Sequence, residues 1–262
     1  MAEYKNAIVS YIDFLGFENL IEQKTPDEII EILNLMKERG SFASFVHNPT
    51  IEFSGPITSV VTFSDHIIRQ IQYEPIGLEG ALGTEMPLLA RMQFDLLTRM
   101  RDPLLIRGAI SKGRSHVTRD FTFGPAMVKS YKLERIAQFS RIIVDFGLIG
   151  ELLQQDRPGW DYILRRGDDG VFFIDYLNSV IKDTSYAPLF IRGRDNILAA
   201  HRGAVDYKLA ELLPQKDERL KQKALWLARY HNSVIERFIK EKPEDEATLR
   251  PLMVGERKML PT

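Results

Sequence analysis

Two apolar runs, each stopping at an aspartate, constrain this chain more than any other feature. Residues 7–12 read as a buried strand that ends at Asp13, and Gly16 then turns the chain into a helical pattern from Phe17. Residues 60–64 repeat the form and end at Asp65. An acid between a strand and a helix start suits a cation held beside a phosphate. The carboxylate takes the cation, and the free N–H groups of the first helical turn take the anion. Either aspartate alone is an ordinary strand-end or turn residue. Together, from neighbouring strand ends, they could hold a pair of divalent ions and a triphosphate.

The rest of the chain is read around these two stretches. Residues 16–22 predict a short helix, and Thr25-Pro26-Asp27-Glu28 starts a longer one, with Thr at the N-cap and Pro at the first turn. That helix is expected to reach about Phe45. Residues 57–63 and 66–72 form a hairpin with Asp65 at its tip, and 77–83 read as loop. A helix over 86–100 leads to a strand over 104–111, which carries one charge, Arg107. A turn at 112–115 and a short strand from His116 follow. Phe123-Gly124-Pro125-Ala126 opens the next helix, after which strands fall at 141–145 and 170–174, with a helix at 148–155 between them. A connector over 178–194, helices over 196–213 and 217–240, and a mobile charged tail from Glu241 complete the chain.

This order of mixed strands and helices around one hairpin predicts an α+β fold, and there is no GxGxxG or Walker loop. The 262 residues are ample for a buried core, and a net charge of −1 shows no basic surplus for a nucleic-acid polymer. Cysteine is absent, which excludes disulfides and thiolate chemistry. No apolar run is long enough to span a bilayer, and Asp13 interrupts the only signal-like stretch near the start, so a cytoplasmic protein with no membrane partner is expected. The five histidines show no ligand spacing, so no zinc site is expected.

The two Asp stretches, the Arg107-Gly108-Ala109-Ile110 strand and the Phe123–Ala126 helix start together resemble the class III nucleotidyl cyclase catalytic domain, over roughly residues 5–175. The resemblance implies a ferredoxin-like palm sheet with helices on it. We expect a catalytic domain over 1–177, a C-terminal helical extension over 178–242 and a tail over 243–262. It further implies two Mn2+ or Mg2+ ions held by Asp13, Asp65 and the carbonyl of Phe14, and phosphate binding at Gly16-Phe17-Glu18. The positions that read a purine base in the family are Val61 and Phe121 here, and its Asn-x3-Arg pair becomes Val128 and Lys132. With the helix spelled Gly124 to Glu134, the chain is similar instead to the pyrimidine cyclases of bacterial antiphage (Pycsar) signalling. That likeness implies a homodimer in which each site takes its metals from one chain and the 124–134 helix from the other. Its product would be a cyclic pyrimidine nucleotide that activates a separate effector.

Each candidate also has a plainer reading. Arg107 is a strand residue snorkelling outward, or a guanidinium whose mate is an acid or an anion. Lys132 and Arg135 are solvated helix-face residues unless Lys132 takes the place of the family's transition-state arginine. Tyr131 and Phe53 are core aromatics or ring contacts for a base. Val61 and Phe121 cannot hydrogen-bond a base edge, and a guanidinium with no placed carboxylate suits uracil's two carbonyls, so UTP is favoured over CTP. Against the cyclase stand a cyclase-like domain without chemistry, and an unrelated interaction domain. The last predicts that Asp13 and Asp65 lie far apart.

Overall fold

The structure is a computed structural model and describes residues 3–40, 58–74, 76–117, 121–153, 159–183 and 193–255. The first half runs β1 (Lys5–Leu15), α1 (Phe17–Gln23), α2 (Pro26–Gly40), β2 (Thr58–Phe63), β3 (His66–Gln72), α3 (Gly77–Thr98) and β4 (Leu105–Val117). The second runs β5 (Thr122–Phe123), α4 (Pro125–Glu134), β6 (Ile142–Val144), α5 (Phe146–Leu153), β7 (Leu164–Arg166) and β8 (Phe172–Ile174). Then come α6 (Tyr176–Lys182), α7 (Arg194–Leu212), α8 (Glu218–Glu241) and α9 (Glu246–Leu249).

The sheet is ordered β2-β3-β1-β4-β6-β8-β7, with β5 paired to β4. β1 lies antiparallel between β3 and β4, and β2 is antiparallel to β3. A strand, helices, a hairpin, a helix and a strand in this spatial order make a ferredoxin-like palm. β6 extends it in parallel to β4, so the sheet is mixed. The fold is α+β, a palm sheet with helices on it followed by a C-terminal helical part.

β1 is covered on both faces, which is why its sequence reads as an apolar run rather than an alternation. Ile8, Ile12 and Phe14 join the large core that also holds Leu82, Met86 and Leu89 of α3. Ala7, Val9 and Tyr11 point the other way and pack with Ile68 and with Ala126 of α4. Asp13 lies on this second face, in step with Tyr11. On the first face, Arg69 and Glu85 are fully buried and joined by two hydrogen bonds of 2.9 Å.

The expected start of α2 is found. Thr25 N–H donates to the Glu28 carboxylate at 2.8 Å, and Glu28 N–H donates to Thr25 Oγ1 at 3.4 Å, a reciprocal capping box. The end expected at Phe45, and Phe53, lie outside the described residues.

Other expectations fail for identifiable reasons. The stretch expected as a loop over 77–83 is the first part of α3. Gly77, Gly80 and Gly83 lower its helix propensity, and Pro87 cannot donate to the Gly83 carbonyl, but the burial of Ala81, Leu82 and Met86 outweighs both. The turn expected at 112–115 is absent, because pairing with β1 continues through Ala7–Gly113 to Lys5–Ser115. β7 had no counterpart in the sequence reading, and α6 occupies part of the expected connector. The chain beyond Glu241 is packed as far as residue 255. Leu249 and Val254 are buried, and Asn232 clamps the Val254 backbone, donating to its carbonyl at 3.0 Å and accepting from its N–H at 2.8 Å. Among the described residues no helix is long and apolar enough to cross a membrane.

The helical part contains a buried polar chain. Tyr176 Oη contacts His201 Nε2 at 2.6 Å, and His201 Nδ1 contacts His231 Nδ1 at 3.0 Å. Burial holds both imidazoles below the usual histidine value of 6.5, His201 well below it. As pH drops through that value the unfolded chain binds protons that the folded chain refuses, so stability falls. The slope is up to about 1.4 kcal/mol per pH unit for each histidine. Asp13 and Glu134 are held above their usual values and tilt the other way at lower pH, so the measurement is a difference. Urea melts of His201→Gln should show lower stability at pH 7 but a shallower decline from about pH 7 to 5 than the parent. Parallel curves would reject this account.

Candidate active site

The site begins as a row across three strands. Asp13 on β1 stands directly opposite His66 on β3 and opposite Arg107 on β4. Residues opposite one another share a face of the sheet, so the three side chains emerge side by side. Arg107 is set close to Asp13 because β4 approaches β1 at Gly108. A Cβ there would fall 2.5 Å from Ile12 Cδ1 and 2.6 Å from the Tyr11 carbonyl oxygen.

Asp65 reaches the row from the turn between β2 and β3. Phe14 N–H donates to the Asp65 carbonyl at 3.2 Å, which draws the hairpin tip over the end of β1. Gly16 follows with φ of 88°, a left-handed conformation that a Cβ would disfavour, and aims the chain into α1.

Ligating atoms of Asp13, Asp65 and His66 all lie within 4.8 Å of one another. His66 lies between the acids, with Nε2 3.4 Å from Asp13 Oδ1 and Nδ1 3.0 Å from Asp65 Oδ1. Arg107 Nε donates to Asp13 Oδ2 at 2.9 Å and is also ion-paired with Glu134 at the end of α4. Burial raises the Asp13 carboxyl above its usual range, and Asp65 adds to this while Arg107 and His66 oppose it. Burial likewise raises Glu134, with Arg107 opposing and Asp13 adding. Tyr11 is pushed up to about 12 by burial, by Glu134 and by Asp13.

Two carboxylates and an imidazole at this spacing fit a divalent cation. The oxygens suit Mg2+ or Mn2+, and a nitrogen donor adds affinity for a transition ion. A cation would also stabilise the ionised form of the Asp13 carboxyl, which burial and the neighbouring Asp65 disfavour.

The group opens into a cavity of about 620 Å³, within the range of small-molecule sites. Asp13, Asp65 and Arg107 line it together with Phe14, Gly16 and Phe17. Tyr131 also faces it, edge-on to Tyr11 with ring centroids 5.5 Å apart. The separation of Asp13 and Asp65 expected of an unrelated domain is thus not found.

Three expected residues are elsewhere. Val61 is half-buried on β2 opposite Ile68, Phe121 is exposed before β5, and Lys132 lines a different cavity with Tyr4 and Pro125. The resemblance gives α4 to a partner's site, so Lys132 need not reach Asp13 of its own chain.

The sequence reading missed His66 and Glu134. His66 has no helical ligand spacing, because its tie to Asp13 is a strand register. Glu134 corrects the expectation that no carboxylate stands beside Arg107.

No family model matches the sequence, and no curated protein matches it. Among solved structures the chain is similar to the adenylyl cyclase CyaB from P. aeruginosa, at 14% identity and a TM-score of 0.48, over 66% of this chain and 95% of that one. It is similar to an adenylate/guanylate cyclase/hydrolase from Silicibacter pomeroyi, at 16% identity and a TM-score of 0.43, over 66% of this chain and 96% of that one. A third likeness is to the catalytic core of a rhodopsin-guanylyl cyclase with converted specificity in complex with ATPalphaS. It has 10% identity and a TM-score of 0.44, over 66% of this chain and 96% of that one. The assignment of the palm rests on the strand order itself.

Proposed function

We propose that the chain is a metal-dependent nucleoside triphosphate cyclase of the class III kind. The observation that carries the reading is the meeting of Asp13, Asp65 and His66 within 4.8 Å at the mouth of a ligand-sized cavity that Arg107 also lines. In the reaction the substrate's 3′-oxygen bonds to its α-phosphorus, the bond from that phosphorus to the β-phosphate bridge breaks, and pyrophosphate leaves with the 3′-hydroxyl proton lost to solvent. Two Mg2+ or Mn2+ ions, when bound, would make the 3′-hydroxyl more acidic and neutralise the leaving group. Asp13 and Asp65 would hold them, with the Phe14 carbonyl and His66 as further donors. Gly16, Phe17 and Glu18 border the same space and would confine the phosphates.

The substrate class we infer is a pyrimidine triphosphate, UTP before CTP. Val61 and Phe121 offer no side-chain hydrogen bond to a purine edge. Among the described residues the Nη groups of Arg107 make no hydrogen bond, so they can donate to a base carbonyl or a phosphate. Free guanidinium donors suit uracil's two carbonyls and put UTP first, while the Glu134 carboxylate beside them could accept from cytosine's amino group and keeps CTP as the runner-up. On this reading the protein is a homodimer that lends Lys132 to the partner's site, works in the cytoplasm, and serves antiphage signalling through its cyclic product. The replacement of the Asn-x3-Arg pair by Val128 and Lys132 is what favours the rival, a nucleotide-binding domain without turnover.

One assay separates these. With Mn2+ and the four common triphosphates, pyrophosphate release is expected with UTP above all, and cyclic UMP as the main product. In equimolar UTP and CTP, Arg107→Ala should shift the product ratio by about tenfold or more if the guanidinium reads the base. Loss on every substrate at an unchanged ratio would assign Arg107 to the phosphates. Mainly cyclic CMP would overturn the uracil preference, and no pyrophosphate from any substrate would leave the rival.

A further inference from the structure

The acidic cavity has a wall that the palm does not supply. Its far side is the start of α8, through Asp217, Leu220 and Lys223. A second cavity, of about 650 Å³, adjoins it; Arg107, Arg135 and Lys223 line both. Three cations from β4, the end of α4 and α8 therefore stand between the two spaces, facing the carboxylates of β1 and the hairpin.

Their states differ. Arg107 is matched by Asp13 and Glu134. Among the described residues no carboxylate lies within ion-pairing distance of Lys223 or Arg135. The acids nearest on α8 are engaged: Asp217 caps the helix by accepting from Arg219 N–H at 2.8 Å, and Glu218 pairs with Lys221 at 2.6 Å. Arg135 is exposed and solvated, but Lys223 is half-buried. A half-buried ammonium without a counter-charge is costly, and an anion in the cavity would relieve it. Burial and then Arg107 lower the Lys223 pKa, with Asp217 and Asp13 only opposing.

We infer that Lys223 is a phosphate-contacting residue of this chain's own active site, so that the C-terminal extension forms one wall of the site. The ligand class is a polyphosphate, with its metal-bound side toward Asp13 and Asp65 and its outer oxygens toward Lys223 and Arg135. This inference rests on the cyclase reading above and adds an element from outside the palm.

The test is equilibrium binding of UTP and of inorganic tripolyphosphate by calorimetry, with Ca2+ as the metal to suppress turnover. The parent is compared with Lys223→Met, which keeps the length and packing of the side chain, and with Lys223→Arg, which keeps the charge. Lys221→Ala, on the same helix, is the control. Lys223→Met should weaken both ligands by about tenfold or more, since a charge-assisted contact to phosphate is lost. Lys223→Arg should retain most of the affinity, and Lys221→Ala all of it. Parent-like binding by Lys223→Met overturns the inference and leaves the cyclase reading intact. Weaker UTP binding with tripolyphosphate unchanged also overturns it, since the contact would then lie outside the phosphates. A parent that binds none of the four common triphosphates overturns both.

Discussion

Asp13→Ala and Asp65→Ala are each expected to slow cyclisation by about a hundredfold to a thousandfold, the scale of removing one electrostatic element that acts in the transition state. The protein should still fold. Asp13 is the centre of the cross-strand row, but its removal does not strand Arg107, which keeps Glu134 as a partner. Nor does the fold lose a stabilising charge, since burial already disfavours the ionised carboxyl of Asp13. The melting temperature of metal-free Asp13→Ala should therefore stay within a few degrees of the parent, while its response to Mn2+ disappears. Pyrophosphate release and thermal melts, with and without Mn2+, check both halves. Turnover within tenfold of the parent in either variant would refute the metal assignment.

The largest effect on stability is expected on the other side of the sheet. Arg69 of β3 and Glu85 of α3 are 0% and 1% exposed and bind each other through two bonds. Their attraction offsets desolvation only while both are present. Glu85→Ala leaves a buried guanidinium unmatched and should cost about 3–5 kcal/mol in urea unfolding. The Arg69 Nη1 group already makes no hydrogen bond among the described residues, so little local capacity remains to absorb the charge. The double variant Arg69→Met with Glu85→Leu should recover most of that loss, because apolar residues of similar bulk avoid the desolvation. A single variant that costs less than about 1 kcal/mol would show that water reaches the pair.

What could be read in advance was local or patterned. The β1 run, the hairpin acid and the Thr25–Glu28 capping box each carry their signal within a few residues, and all are found. The failures are tertiary. Three glycines and Pro87 weaken the α3 start, which only packing reveals. Lys112 to Ser115 looked like a turn because β1, which keeps them extended, lies a hundred residues away. His66 and Glu134 became site residues only once register and the α4 end were known. Lys223 had no sequence signal at all, being one cation among many on a charged helix. The segment from Glu241 looked mobile by composition, yet Leu249 and Val254 anchor it.

The cross-strand row has a consequence for how the protein is made. Asp13, His66 and Arg107 are brought together by β1, β3 and β4, so no local segment contains the row. Such long-range pairing forms late, after loop closure has been paid for. During synthesis, a chain still on the ribosome has no row until β4 has emerged. By the further inference it has no complete cavity until α8 has followed, more than a hundred residues later. A chain released before Lys223 would then lack the outer wall of the cavity and should hold a polyphosphate more weakly than the full chain.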